Sequence, residues 1–285
     1  MDKLHKYDYQ INMNSQMAPA KVVRMVGENK RVLEIGAGPG SITKLLKSVG
    51  NCRITALEID SEAIKKLGPY CEKIYQADLN HAEWVSGIKQ EGQFEVVVAA
   101  DVLEHVYEPL SVLTAMKDFL TEDGYIVISL PHIGHSAIHA CLLQEDFEYR
   151  DWGLLDRTHI RFFGIKNIQA LFEKAGLKII YAEYVVRSPE ETEFAERWAS
   201  LPEGIRHALS SNPFGTVYQV VLKAVPVERD GQAISLLNVP VEGGGNGSAA
   251  VARENWQIRP IVRRLIPARV RAALRSIASR LGVTL

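Results

Sequence analysis

The sequence is poor in several things, and each shortage excludes a class of protein. Its three cysteines, Cys52, Cys71 and Cys141, stand far apart with no pair at metal-clip spacing. Neither a disulfide framework nor a zinc site follows from them, and a reducing, cytoplasmic setting is expected. No stretch reaches about 18 uninterrupted apolar residues, and the start carries no apolar run of leader length, so neither a spanning segment nor a signal peptide is expected. Cations are scarce where nucleic acid would need them. Of the 33 Lys and Arg residues, seven arginines fall within 255–285 beside no acid, leaving 26 against 34 acids on the rest, a net of −8. A surface of that sign repels phosphate, so no nucleic-acid partner is expected.

With 47% hydrophobic and 24% charged residues among 285, the remainder is an ordinary globular chain. Short runs rich in β-branched residues alternate with segments of helical period, a pattern that builds an α/β fold with a doubly wound, mostly parallel sheet. Seven strands are expected: 31–35, 53–57, 73–77, 94–99, 125–130, 177–186 and 215–225. The last two lack a long crossover helix directly between them, which predicts an antiparallel last strand, with 189–212 as a helical insertion at the edge. Ile42, Leu45, Leu46 and Val49 predict a helix stopped by Gly50. Ser61 is expected to cap a second helix, Pro109 to open a third, and Ile168, Leu171, Phe172 and Ala175 to lie on one that stops at Gly176. Residues 226–258, with Gly243, Gly244, Gly245 and Gly247, read as a flexible linker. Residues 259–285 read as a basic amphipathic tail, which would dock on an anionic membrane surface or an acidic partner, or fold back on the acidic domain.

The segment Val32-Leu-Glu-Ile-Gly-Ala-Gly-Pro-Gly40 runs from a buried strand through a glycine-rich turn into a helix. Glycine there lets the backbone turn sharply and approach a ligand with no Cβ in the way. A tight turn without a ligand would use the same residues. A dinucleotide fingerprint would place its third glycine at 41, where Ser41 stands, and this disfavours a nucleotide-sugar oxidoreductase. The spacing instead resembles motif I of class I S-adenosylmethionine-dependent methyltransferases, and with it a Rossmann-like methyltransferase fold. The resemblance implies that Gly36, Ala37, Gly38 and Gly40 line the methionine and ribose of S-adenosylmethionine, with Glu34 near its amino group. Glu58, closing the second strand, can accept both ribose hydroxyls; Asp60 competes for that role but is better placed to cap the next helix. Ile59 is taken with it. Asp78 and Leu79 are placed at the adenine, on the amino group and the ring face respectively.

At the end of the fourth strand, Asp101-Val-Leu-Glu-His-Val106 resembles motif IV of a subgroup of that family, and Asp101 joins the residues expected at the cofactor. The stretch Gly153-Leu-Leu-Asp-Arg-Thr-His-Ile-Arg-Phe-Phe163 is similar to a signature of enzymes that tailor polysaccharide, O-antigen and small metabolites. The likeness spans Tyr7 to about Val225. It implies methyl transfer to an oxygen of a small-molecule or glycan acceptor, with nitrogen as the alternative atom and an inactive cofactor-binding scaffold as the alternative class. A hydroxyl must lose its proton, which suits His105, His159 and Glu104 as catalytic candidates. His132, His135 and His139 follow the fifth strand as weaker candidates for the acceptor pocket or plain surface residues. Some relatives hold magnesium at the positions of Asp101, Glu104 and His105, to which His159 could add. The short reach of Asp101 and the shortage of oxygen donors disfavour a divalent metal, and none is assigned.

Overall fold

The structure, a computed structural model, describes residues 7–242. The basic tail at 259–285 and the glycine run at 243–247 lie outside the described residues. The elements, in chain order, are α1 (Ala18–Val26), β1 (Arg31–Ile35), α2 (Ser41–Ser48), β2 (Arg53–Glu58), α3 (Ser61–Leu67), β3 (Lys73–Gln76), α4 (Glu83–Ile88) and β4 (Phe94–Ala100). Then follow α5 (Pro109–Asp118), β5 (Leu120–Pro131), α6 (Ser136–Leu143), α7 (Ile165–Lys174), β6 (Leu177–Val186), α8 (Ala195–Ala199), α9 (Glu203–Ser210) and β7 (Val217–Pro226).

One seven-stranded sheet, ordered β3-β2-β1-β4-β5-β7-β6, organises these elements. The first five strands in that order pair in parallel, and β7 runs antiparallel to both neighbours. The parallel strands read as unbroken apolar runs because both faces are covered. Successive residues point to opposite sides, so Leu33, Val97 and Ile126 enter one core layer while Val32, Val96 and Val127 enter the other. Among the described residues no helix is long and apolar enough to cross a membrane.

Of the two residues expected to cap α3, it is Asp60 and not Ser61 that does so: its carboxylate accepts from the amides of Glu62 at 2.7 Å and Ala63 at 3.4 Å. One expectation needs correction: the linker does not begin at 226. Arg229 donates to the carbonyls of Gly124 and Thr121, Ile234 donates its amide to Ile179, and Leu236 is fully buried beneath the hydroxyl of Tyr184. Hydrophobic burial at Leu236 and Ile234 holds this segment on the domain although its composition is polar.

Candidate active site

The strand order reverses at β1 and β4, and a parallel sheet opens a crevice at the carboxyl ends of strands where this happens. Here the crevice is a cavity of about 1140 Å³. Every residue expected at the cofactor lines it except Gly40, as do Glu104, His105 and His159.

The turn after β1 is left-handed at three glycines, with φ of +66° at Gly36, +55° at Gly38 and +91° at Gly40. Gly40 is the N-cap of α2 and contributes that bend instead of a wall of the cavity. A Cβ on Gly38 would meet nothing within 4 Å, so its open side is room for a ligand. Ser41, where a dinucleotide turn would have glycine, ties down the N-terminal segment: its hydroxyl donates to the Tyr7 carbonyl at 2.7 Å and accepts the Tyr9 amide at 3.1 Å.

Glu58 closes β2 and is 7% exposed. Its Oε2 accepts from Gly38 N–H at 2.6 Å, and its Oε1 accepts from the amides of Ile59 and Asp60 at 2.8 and 2.9 Å. The carboxylate thereby pins the glycine turn to β2; Oε1 spends both lone pairs on these amides and Oε2 keeps its second one. Glu34, 3% exposed, has Oε2 buried with no hydrogen-bond partner. Burial pushes its carboxyl up to about 8, with the Thr43 hydroxyl opposing and the Glu58 charge adding to the rise. At the other end Asp78 accepts from the amide and side chain of Asn80, both at 2.9 Å, and Leu79 packs on the core.

Beyond β4 the backbone is unusual. Asp101 has φ of +53°, a left-handed region that non-glycine residues seldom occupy. Its two oxygens accept from Ser129 on β5 at 2.7 Å and Gln219 on β7 at 2.8 Å. Burial raises its pKa against those two bonds. Asp101 therefore ties three strands together and is turned away from the next acid.

Glu104 lies in a one-turn 3₁₀ helix, Leu103–His105, and is fully buried. Neither carboxylate oxygen has a hydrogen-bond partner, and burial with the Asp101 charge raises its pKa well above the ordinary range. The backbone carbonyl of Glu104 accepts the amides of Ile160 and Arg161, which brings the loop bearing His159 over the β4 end. The rings of His105 and His159 stand edge to face with centroids 4.9 Å apart. Glu104, His105 and His159 each offer a ligating atom within 4.8 Å of the others. One carboxylate and two imidazoles are a donor set that a borderline divalent ion accepts more readily than magnesium does. Asp101 is outside the set.

The weaker histidines belong to the scaffold. His132 and His135 are buried, their Nδ1 and Nε2 against the carbonyls of Val217 at 3.0 Å and Arg187 at 2.9 Å, and burial lowers both to about 4. His139 caps back on the His135 carbonyl at 3.2 Å. None of the three lines the cavity, and two are interior, so neither the pocket nor the surface expectation fits His132 and His135. Conversely, Tyr9, Trp152, Arg187, Tyr218 and Gln219 line the cavity without having been read from the sequence.

Comparison with known proteins agrees with this geometry. A family model described as a methyltransferase domain matches residues 9–182. The ubiquinone biosynthesis O-methyltransferase of Aromatoleum aromaticum is 26% identical over 155 residues, 52% of this chain and 64% of that one. The protein of the same name from Dinoroseobacter shibae is 25% identical over 173 residues, 59% of this chain and 66% of that one. The chain thus spans less than two thirds of either relative. A S-adenosylmethionine-dependent methyltransferase structure from Archaeoglobus fulgidus superposes with a TM-score of 0.50 at 19% identity, covering 74% of this chain and 94% of that one.

Proposed function

The chain belongs to the class I S-adenosylmethionine-dependent methyltransferases, and from that premise we propose that it methylates a hydroxyl oxygen on a small-molecule or glycan acceptor. The observation that carries this reading is Glu104, a fully buried carboxyl without a hydrogen-bond partner beside two histidines at the mouth of β4. A neutral amine attacks through a lone pair it already has, whereas a hydroxyl becomes a good nucleophile only as its proton leaves. A buried carboxyl with a raised pKa, paired with imidazole, is suited to taking that proton near neutral pH. The names of the two relatives are of the same kind.

The bound cofactor supplies an electrophilic methyl on sulfur. The chain would hold it at three points: Glu34 at its amino group, Glu58 at its ribose hydroxyls, and Asp78 with Leu79 at its adenine. His105 and His159 then face the acceptor hydroxyl, with Glu104 behind them. The bond from the oxygen to the methyl carbon would form as the carbon–sulfur bond breaks, and the Glu104–histidine group would receive the hydroxyl proton. Fixed orientation does much of the work, because the methyl needs only an in-line nucleophile.

A second reading rests on the same three side chains. A divalent ion held by Glu104, His105 and His159 would lower the pKa of a hydroxyl bound to it and replace the base.

The test supplies labelled cofactor with matched acceptors that differ only in carrying a hydroxyl or an amine, and assigns the product by its methyl resonance. A methoxy product is expected. Methylation confined to nitrogen would overturn the reading.

A further inference from the structure

Seven carboxyl side chains line the cavity, and a single arginine faces them with no lysine. That arginine, Arg187, follows the end of β6 and is held from three sides. Its amide donates to the Thr216 carbonyl at 2.9 Å, and its own carbonyl faces His135 Nε2 at 2.9 Å. Its guanidinium lies over the ring of Tyr218, 4.9 Å from the centroid. Tyr218 is buried in turn, and its hydroxyl donates to the Glu193 carboxylate at 3.0 and 3.2 Å. Glu193 also accepts the Leu154 amide at 2.7 Å, at the start of the loop that carries His159.

The stack fixes the plane of the guanidinium and leaves its N–H fork unspent. Among the described residues no acid lies within ion-pairing distance of it, and its one ring contact is Tyr218. A cation held this way, with its N–H donors along the edges of a fixed plane, is built to receive two oxygens of one anion. Position decides whose anion it is. Tyr218 is on β7, three places from β1 and two from β4 in the sheet. At about 4.8 Å per strand, β7 lies roughly 14 Å from β1, which carries the glycine turn, and 10 Å from β4. The cofactor's own carboxylate belongs at the turn, which leaves the acceptor.

We propose that Arg187 anchors an anionic group, carboxylate or phosphate, on the methyl acceptor, so that the substrate is a hydroxylated acid and not a neutral alcohol or phenol. This rests on the hydroxyl-methylation reading and narrows its substrate. The anion would sit at the β6–β7 side of the cavity, and the acceptor would reach from there to the hydroxyl-facing histidines.

The test uses the full chain with S-adenosylhomocysteine bound, titrated calorimetrically with acid and neutral pairs: 3,4-dihydroxybenzoate and its methyl ester, glucuronate and glucose, glucose 1-phosphate and glucose. At least one acid is expected to bind about ten- to a hundredfold more tightly than its neutral partner, and the pair that does so tells carboxylate from phosphate. In Arg187→Met that preference disappears, and Arg187→Lys recovers part of it, because a point charge replaces a fork. Affinity for S-adenosylhomocysteine stays the same in both variants, which separates an acceptor anchor from a cofactor contact or a folding defect. No acid preference in the wild type, or a preference that survives Arg187→Met, overturns the inference. Product analysis keeps the two readings apart. An Arg187-dependent acid preference with methylated nitrogen retains the anion site and overturns hydroxyl methylation; equal methoxylation of acid and ester does the reverse.

Discussion

His159 turns its Nε2 toward Glu104 Oε1 at 3.9 Å and its Nδ1 toward the Leu154 carbonyl at 3.3 Å. A carbonyl only accepts, so the Nδ1 proton is assigned to that contact, and Nε2 of the neutral ring is bare where it faces the carboxylate. Two lone pairs facing one another repel, and a fully buried carboxylate beside a ring 8% exposed has little solvent to relieve it. One proton therefore resides on the pair, on the acid or on the ring, and burial of Glu104 favours the acid. His105 repeats the arrangement, its Nδ1 3.0 Å from the Thr158 carbonyl. Receiving the hydroxyl proton leaves an imidazolium beside a neutral acid, a positive charge that replaces the one the sulfonium gives up.

Removing either partner should therefore slow the chemistry and spare the cofactor. Glu104→Gln and His159→Ala are expected to lower kcat by about 10²- to 10⁴-fold, the range for a positioned acid or base. S-adenosylhomocysteine affinity, read by calorimetry, should stay within about twofold. A parallel loss of cofactor affinity would assign both residues to building the pocket. Because Glu104→Gln also fills the orphaned site with a neutral group, its thermal stability should not fall below that of the wild type.

Activity should survive exhaustive chelation. Asp101 spends both oxygens on Ser129 and Gln219, which leaves Glu104 as the one carboxylate in the cluster, short of what a hard ion requires. Turnover measured after dialysis against a chelator, then after adding back zinc, manganese or magnesium, checks this. Activity lost on chelation and restored by one of these ions would move the role of Glu104, His105 and His159 from proton acceptance to coordination.

Glu34 makes cofactor binding depend on pH. Its carboxyl, raised to about 8 by burial, is protonated at neutral pH, whereas an ammonium beside it favours the ionised form. Binding then releases a proton, so affinity should rise with pH, by up to about tenfold per unit below 8, and level off above it. The same shift has a stability cost of defined sign. The folded state binds the proton more tightly than the unfolded chain, so this contribution is present in full below about 4.5 and is lost as pH rises through about 8. Titrations with S-adenosylhomocysteine between pH 6 and 9 should show the slope in the wild type and a flat line in Glu34→Gln.

Much of the cofactor half was legible from single segments, because strand, glycine turn and closing acid are adjacent in sequence and one local geometry joins them. Gly36, Gly38 and Glu58 lie within 23 consecutive residues, and the structure brings them to one wall. The acceptor half is assembled from distant pieces. Arg187, Tyr218 and Gln219 belong to the paired ends of β6 and β7, and nothing local marks an arginine after a strand as facing a cavity. His132 and His135 failed as pocket candidates for the same reason: whether a histidine after a strand is aimed at a ligand or at a backbone carbonyl depends on what packs over it. The helices α1, α4 and α6 were missed because each is short and draws its stability from packing more than from its own period.

Gly36 and Val102 are packed closely in the site, and their contact yields a prediction about stability. A Cβ added to Gly36 would lie 2.7 Å from Val102 Cγ2, and φ of +66° strains any side chain there. Val102 cannot easily withdraw, since it is 6% exposed and follows Asp101, whose own φ is positive and whose carboxylate is bonded to two strands. Gly36→Ala should therefore cost about 1–2 kcal/mol for the left-handed backbone, plus a further term for the clash. Combining it with Val102→Ala removes the clash and leaves the backbone term. The double variant should consequently be more stable than the sum of the single effects by about 0.5–3 kcal/mol, the usual coupling for residues in contact. Urea unfolding of the four proteins measures it. Strict additivity would mean that the β4 end moves aside for the added methyl, and the β1 turn and Asp101 would then not be held as one rigid wall of the cofactor site.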